Sequence, residues 1–207
     1  MQIYLFDDFD SITDGILDRL IASLPEARRQ KALRYRRRSD RLTCAAAYHL
    51  LRYALAQSRG ILGFAVAEER NGKPYLADHP EVHFNLSHCA CGCICALSER
   101  EVGADIQDIA RANEKVLRLV CSEKEISAIT VSDEPDRQFT RIWAMKEAYL
   151  KMLGTGIASD PKAADTALLG NVTVLDCGGY FIAAATEPPE EVTVIRTELA
   201  CLTENIL

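Results

Sequence analysis

Two periods of apolar residues alternate along this chain, and the switches between them outline its elements. The run Ile3-Tyr4-Leu5-Phe6 predicts a strand at the start. Ser23, Pro25 and Glu26 read as a capping-box start for a helix to about residue 34, and Asp40 opens a longer helix to about residue 57. Residues 64–69 and 73–76 form a predicted hairpin, since Asn71-Gly72 is a favoured turn dipeptide. Strands are expected at 82–86, 91–97 and 102–107. Asn113 and Ser122 begin short helices, the second with Glu125 three residues on. A long helix from about 134 to 153 stops at Gly154 and Gly156. A closing hairpin, 172–175 and 180–185 about Gly178-Gly179, leads to a last strand at 192–196. Helices and antiparallel hairpins recur in both halves, 1–102 and 103–207, so the class is α+β.

The long helix carries candidate chemistry. Trp143, Glu147 and Lys151 are four apart and fall along one side, while Ile142, Met145, Tyr149 and Met152 form a separate apolar stripe. A carboxylate and an ammonium on one edge suit phosphate and divalent-metal chemistry; they also suit an ordinary surface ion pair. Upstream, Asp105 and Gln107 sit two apart on a strand and point the same way, with Ala104 and Ile106 opposite. Asp105, Gln107 and Glu147 together offer an oxygen-ligand set for Mg²⁺, which takes one or two carboxylates plus substrate phosphates. The plainer alternative is a strand-end Asp105 capping a loop, beside a solvated Glu147–Lys151 pair.

Charge and composition narrow the field. The 207 residues are 48% hydrophobic, as in a globular protein, and hold no apolar run long enough to span a membrane. The start, Met1-Gln-Ile-Tyr-Leu-Phe-Asp7-Asp8, lacks a basic n-region, so a cytoplasmic protein is expected. The net charge of −6 hides a basic segment, residues 28–41, with eight bases and one acid. Nucleic acid is not an expected partner, because no aromatic stacking array accompanies these bases and the rest of the chain is acidic. The segment is either a solvated helix end or a cradle for phosphates. Cys89, Cys91, Cys93 and Cys95 alternate, which on one strand would line them along a single face. Such a line cannot wrap one tetrahedral ion or readily form disulfides, so small buried core residues in a reducing compartment are expected.

Two more pieces precede the acids: Asn71-Gly72-Lys73-Pro74-Tyr75-Leu76 and Val82-His83-Phe84-Asn85-Leu86-Ser87-His88. With Gly103-Ala-Asp105-Ile-Gln107 and Trp143-Ala-Met-Lys146-Glu147-Ala-Tyr-Leu-Lys151, in this order, the chain resembles the 4′-phosphopantetheinyl transferases of the Sfp type over residues from about 28 to 153. The family pattern is Gly-Lys-Pro, Phe-Asn-x-Ser-His, Gly-x-Asp-Ile-Glu, then Trp-x-x-Lys-Glu-x-x-x-Lys. Each piece is weak alone; jointly they are specific. Gln107 departs from it, standing where many members carry Glu, which leaves Asp105 and Glu147 as the certain carboxylates.

The resemblance implies two similar α+β halves related by a pseudo-twofold, with the active site in the cleft between them. Residues 1–102 would bind coenzyme A phosphates; 103–207 would carry the metal site and dock the carrier. The implied reaction moves 4′-phosphopantetheine from coenzyme A to a serine of an acyl or peptidyl carrier protein, of a fatty-acid, polyketide or nonribosomal-peptide system, releasing 3′,5′-ADP. Mg²⁺ would be held by Asp105 and Glu147, with Gln107 directly or through water. Lys151 would neutralise the leaving phosphate, and Glu147 would also deprotonate the serine. Arg41 is the choice for the 3′-phosphate, followed by Arg28, Lys31 and Arg37; Lys73 with Pro74 and Ser87 with His88 complete the coenzyme A contacts. Ser87 is not read as a nucleophile, because adjacent residues on a strand point oppositely. Asn85 and Phe84 are read as structural. A carrier-docking face is expected on 113–129, where Lys115, Arg118 and Lys124 lie among Val116, Leu119 and Val120, although these apolar residues also suit packing. Two similar halves make a monomer sufficient. The alternatives are a non-catalytic binder of coenzyme A or carrier on the same fold, to which Gln107 is the one pointer, and a plain interaction domain with salt-bridged acids.

Overall fold

A computed structural model of the chain describes residues 1–155 and 160–204. Its first half runs β1 (Gln2–Phe6), α1 (Asp14–Ala22), α2 (Glu26–Arg34), α3 (Arg38–Arg59), β2 (Val66–Glu68), β3 (Pro74–Leu76), β4 (His83–His88) and β5 (Cys93–Ser98). Then follow β6 (Val102–Asp108), α4 (Glu114–Val120), α5 (Glu123–Thr130), α6 (Pro135–Leu153), β7 (Val172–Asp176), β8 (Tyr180–Thr186), β9 (Thr193–Arg196) and α7 (Leu199–Thr203). The α+β class read from the pattern is what is found.

Burial on both faces explains the nearly continuous apolar strands. In β1, Tyr4 and Phe6 face a core shared with α3, while Ile3 and Leu5 face a second core. That second core holds Val102, Ala104 and Ile106 of β6 and Ile182 and Ala184 of β8. The far face of β8, Phe181, Ala183 and Ala185, meets Ala144, Ala148 and Met152 of α6. The layers are therefore α3, a sheet ordered β4-β5-β1-β9, a sheet ordered β6-β8-β7, and α6. The hairpin β2-β3 stands apart as its own small sheet.

The last strand crosses back: β9 pairs parallel with β1 in the first sheet, and Leu202 of α7 is buried in the first core. Thr193 N–H donates to the Met1 carbonyl, Thr197 N–H donates to that of Leu5 at 2.8 Å, and the Met1 ammonium pairs with Glu190 at 2.9 Å. Residues 193–203 thus complete the first sheet and its core.

Several local expectations are corrected. Helix α1 was not foreseen; Thr13 caps it, accepting from Ile16 N–H, and Leu17, Leu20 and Ile21 form its short buried stripe. Pro25, with no side-chain cap bond, begins α2, so the expected capping box at Ser23 is absent; Ser23 Oγ instead donates to the Leu20 carbonyl at 3.0 Å and closes α1. Helix α3 starts at Arg38, two residues before Asp40. Strand β5 begins at Cys93, because Cys89–Gly92 forms a turn closed by Cys89 N–H donating to the Gly92 carbonyl at 2.9 Å. The expected line of four thiols is therefore broken, with only Cys93 and Cys95 buried on the strand. Helix α7 was also unforeseen. The capping box at Ser122 is present, and Gly154 ends α6 in the left-handed conformation; Gly156 lies outside the described residues.

One buried ion pair ties α5 to α6. Lys146 is fully buried, and its Nζ lies 2.7 Å from Glu125 Oε2 while also donating to the Val120 and Pro161 carbonyls. Glu125 further accepts from Ser122 N–H and from Thr166. Burial alone would raise the Glu125 pKa, but these donors, Lys146 foremost, outweigh it and hold the carboxyl below its ordinary value. A carboxyl lowered on folding contributes stability above its unfolded pKa and loses it as pH falls through the folded value. Glu125→Gln is accordingly expected to cost about 3 kcal/mol at neutral pH, because it strands the Lys146 charge. Its urea-unfolding free energy should also fall less steeply than that of the wild type as pH drops through the acidic range; an equal slope would show that Glu125 is not the group responsible.

Candidate active site

Strand alternation turns Ala104 and Ile106 into the layer between the sheets, so Asp105 faces the other way, toward α6. The approach of α6 is set by Gly103. A Cβ there would lie 2.0 Å from the Ala148 carbonyl oxygen and 2.2 Å from Met152 N. Glycine alone lets the helix backbone rest on the strand, and that contact places Lys151 beside Asp105. Lys151 Nζ donates to Asp105 Oδ1 at 2.6 Å, to Ser87 Oγ at 3.0 Å and to the Ala104 carbonyl at 3.2 Å.

The Phe-Asn-x-Ser-His segment supplies the other wall. Asn85 Oδ1 accepts from Ala104 N–H at 3.0 Å, and Ser87 Oγ accepts from Ile106 N–H at 3.3 Å. These two side chains fasten β4 of one sheet to β6 of the other. Ser87 also donates to Asp105 Oδ1 at 2.7 Å, while Phe84 is buried in the first core. Two groups, Lys151 Nζ and Ser87 Oγ, thus converge on one oxygen of Asp105.

The second oxygen, Oδ2, is buried and has no hydrogen-bond partner among the described residues. One turn before Lys151, Glu147 is half-buried and, among the described residues, makes no hydrogen bond or ion pair. Burial raises its pKa, Lys151 partly offsets this, and the Asp105 charge raises it further. An orphaned carboxylate oxygen and a second carboxylate disfavoured by the first mark a shortage of positive charge. An all-oxygen donor set of this kind fits a hard divalent cation. Gln107, half-buried, follows on the face of Asp105.

Around this centre, His88 is solvent-exposed, yet enough protein surrounds its ring to lower its pKa by burial. Lys151 and Arg28 lower it further, against the opposing charges of Asp105 and Asp40. Arg28 of α2 and Asp40 in the first turn of α3 thus both act on His88. Arg41 lies in the first turn of α3 and its Nε donates to the Tyr35 carbonyl at 2.8 Å. The Arg28 guanidinium stacks over Tyr48 at 5.4 Å, and its buried Nε has no partner among the described residues. Arg28, Lys31, Tyr48 and Phe64 line a groove of about 480 Å³. Lys73 is engaged elsewhere: its Nζ meets Glu101 at 2.5 Å and the Met152 carbonyl at 2.9 Å, clamping the end of α6, and Pro74 follows at the start of β3. Sequence reasoning did not anticipate Glu101, nor Tyr48 and Phe64 as groove walls, because an isolated acid or core aromatic has no motif to mark it.

Residues 101–185, which hold Asp105, Gln107, Glu147 and Lys151, match the model of the 4′-phosphopantetheinyl transferase superfamily. A 4′-phosphopantetheinyl transferase of Bacillus subtilis is 28% identical over 163 residues, 76% of this chain and 72% of that protein. The 4′-phosphopantetheinyl transferase Sfp of Bacillus subtilis strain 168 is 25% identical over 68% of this chain and 65% of its own length. An L-aminoadipate-semialdehyde dehydrogenase-phosphopantetheinyl transferase of Eremothecium gossypii is 34% identical over 75% of this chain and 62% of its own. The region bearing the acids thus belongs to the 4′-phosphopantetheinyl transferase superfamily. Within it, the similarity reaches Sfp-type members and covers most of this chain.

Gly103→Ala tests the close approach. Overpacking a site this tight is expected to cost about 3 kcal/mol in unfolding free energy and to loosen Lys151 from Asp105. Gly15→Ala, at a helical position with nothing within 4 Å of the added methyl, should be neutral or slightly stabilising. Similar melting temperatures for the two variants would remove the constraint.

Proposed function

We propose that the chain transfers the 4′-phosphopantetheine group of coenzyme A to a serine of an acyl or peptidyl carrier protein, releasing 3′,5′-ADP. The observation that carries this reading is the pair of acids on separate elements, Asp105 with an unpartnered buried oxygen and Glu147 beside it, next to the Lys151 ammonium. Phosphoryl transfer asks chiefly for positioning and charge neutralisation. Asp105 and Glu147, with Gln107 directly or through water, would hold Mg²⁺, which when bound supplies positive charge to a pyrophosphate. Lys151 sits on Asp105 and is placed to neutralise the leaving phosphate. Ser87 holds Asp105, and at the end of β4 it would, with His88, contact phosphate. Glu147, its pKa raised by burial, is the carboxylate within this cluster suited to take the serine proton.

Coenzyme A itself would lie along the first half. The groove at Arg28 and Lys31 has aromatic walls and bases at its rim, as a nucleotide needs, and Arg41 in the nearby first turn of α3 is assigned the 3′-phosphate. Lys73 and Pro74, at the small hairpin, complete that half; for Lys73 this means exchanging Glu101 for phosphate. On this reading 1–102 serves coenzyme A and 103–207 the metal, the two meeting in a cleft, and a monomer suffices. No described helix is long and apolar enough to cross a membrane, and we take a cytoplasmic enzyme as the working assignment. The carrier is placed on 113–129. There Val120 and Leu117 are buried in their own small core, which leaves Leu119, 70% exposed, with Lys115, Arg118 and Lys124 as the docking face.

Mg²⁺-dependent release of 3′,5′-ADP with a panel of apo-carriers is the direct assay, and it separates catalysis from mere binding. Asp105→Asn should keep the Lys151 and Ser87 contacts and the fold, yet slow turnover by about 10²–10³-fold. Near-wild-type turnover at saturating Mg²⁺ would contradict the metal assignment.

Arg41→Ala should weaken coenzyme A binding about ten- to a hundredfold. It should also erase the preference for coenzyme A over dephospho-coenzyme A, which lacks the 3′-phosphate. A retained preference would move that phosphate to another base of residues 28–38.

A further inference from the structure

The turn that displaced two cysteines from β5 also brings them together. Cys89 Sγ and Cys91 Sγ lie 3.1 Å apart, with either thiol able to donate to the other. Three contacts fix the turn around them. Cys89 N–H closes it on the Gly92 carbonyl, and Ala90 N–H donates to Asp108 Oδ2 at 2.8 Å. Gly92 has no room for a Cβ, which would stand 2.5 Å from the Phe6 carbonyl oxygen, so the turn is seated against the end of β1. Both thiols are partly exposed, whereas Cys44, Cys93, Cys95 and Cys121 are buried.

We propose that Cys89 and Cys91 are a redox-active dithiol that closes reversibly to an intramolecular disulfide. On a regular strand, neighbours two apart splay along one face; the turn removes that objection by bringing the two sulfurs to 3.1 Å. The surroundings also divide the labour. The Cys91 thiol and the N–H groups of Cys91 and Gly92 hold Cys89 below its usual pKa against burial, while Cys89, burial and Asp108 push Cys91 up. Cys89 is thus the attacking sulfur and Cys91 the resolving one.

With a low-molecular-weight disulfide as oxidant, the Cys89 thiolate attacks one sulfur and expels the other half as a thiolate. Cys91, giving up its proton, then attacks the Cys89 sulfur and expels the second half. Two protein thiols and one small disulfide become one protein disulfide and two small thiols, so electrons and protons balance. A chelate is the competing use of the cluster, since Asp108 lies with both sulfurs inside 4.8 Å. But a zinc ion at ~2.3 Å from each sulfur holds them roughly 3.8 Å apart in a tetrahedral site. The observed spacing is shorter, and Asp108 already holds the turn.

The test uses the reduced full chain in native glutathione buffers with rising disulfide share, followed by rapid alkylation and peptide mapping. Cys89 and Cys91 are expected to lose labelling together, and their peptide to become lighter by two hydrogens. Dithiothreitol should restore both. Cys91→Ser should instead accumulate a stable glutathione adduct on Cys89, and Cys89→Ser should leave Cys91 free to be labelled. Fragmentation separates these two from Cys93 and Cys95 on the same peptide, which should label only after unfolding. Retention of both thiols at a poise that oxidises a small dithiol reference would overturn the proposal. So would wild-type glutathione adducts that never resolve.

Discussion

The contact of Gly103 with the backbone of α6 governs the second half of this molecule. It is a steric constraint rather than an attraction: the missing Cβ lets a helix lie directly on a strand, and the remaining packing follows. Ala144 and Ala148 on the helix, and Ala183 and Ala185 on β8, keep the same interface thin. A thin interface brings residue 151 of the helix within hydrogen-bonding distance of residue 105 of the strand. The Lys151–Asp105 pair is therefore positioned by side chains that are absent or minimal.

The first sheet is registered against the second by a different device. Asn85 and Ser87 reach across from β4 to backbone N–H groups of β6, as a neighbouring strand would, although the strands belong to separate sheets. Hydrogen bonds between buried groups are directional, so they fix the relative position of two surfaces that apolar packing alone would let slide. Ser87 then has two tasks, since it also orients Asp105. On the opposite side, the Lys146–Glu125 pair does comparable work between α6 and α5, away from the acids. The motif Trp143-x-x-Lys146-Glu147-x-x-x-Lys151 therefore mixes a structural ion with two that face the site.

Much of this was legible in the sequence where a period or a cap speaks locally. The stripe of α6, the Ser122 capping box, the Asn71-Gly72 hairpin and the alternation at Asp105 and Gln107 all follow from short-range rules. Elements whose identity depends on distant partners were not. The short stripe Leu17, Leu20 and Ile21 was too brief to announce α1, and the buried side of α7 reduces to Leu202. Ser23 matched a capping pattern, but Pro25, with its backbone already set for a helix start, took the position. The alternating cysteines look like a strand until Gly92, which must fit against Phe6, breaks the run into a turn. As for the site, the motifs brought Asp105, Ser87 and Lys151 to notice, and the structure brings these three together. The Glu101 partner of Lys73 and the Tyr48 and Phe64 walls arise from tertiary placement alone.

The return of β9 to β1 bears on how far this molecule can move. The chain leaves the first sheet after β5, builds the entire second layer, and comes back to lie parallel to its own first strand, with Met1 held to Glu190. The second sheet is thus anchored at both of its ends, like a drawer on two runners rather than a door on one hinge. Separating the layers would mean unzipping a strand, a transition akin to partial unfolding. The walls that carry Asp105 and Ser87 are thus held in register twice, by the path of the chain and by their own hydrogen bond.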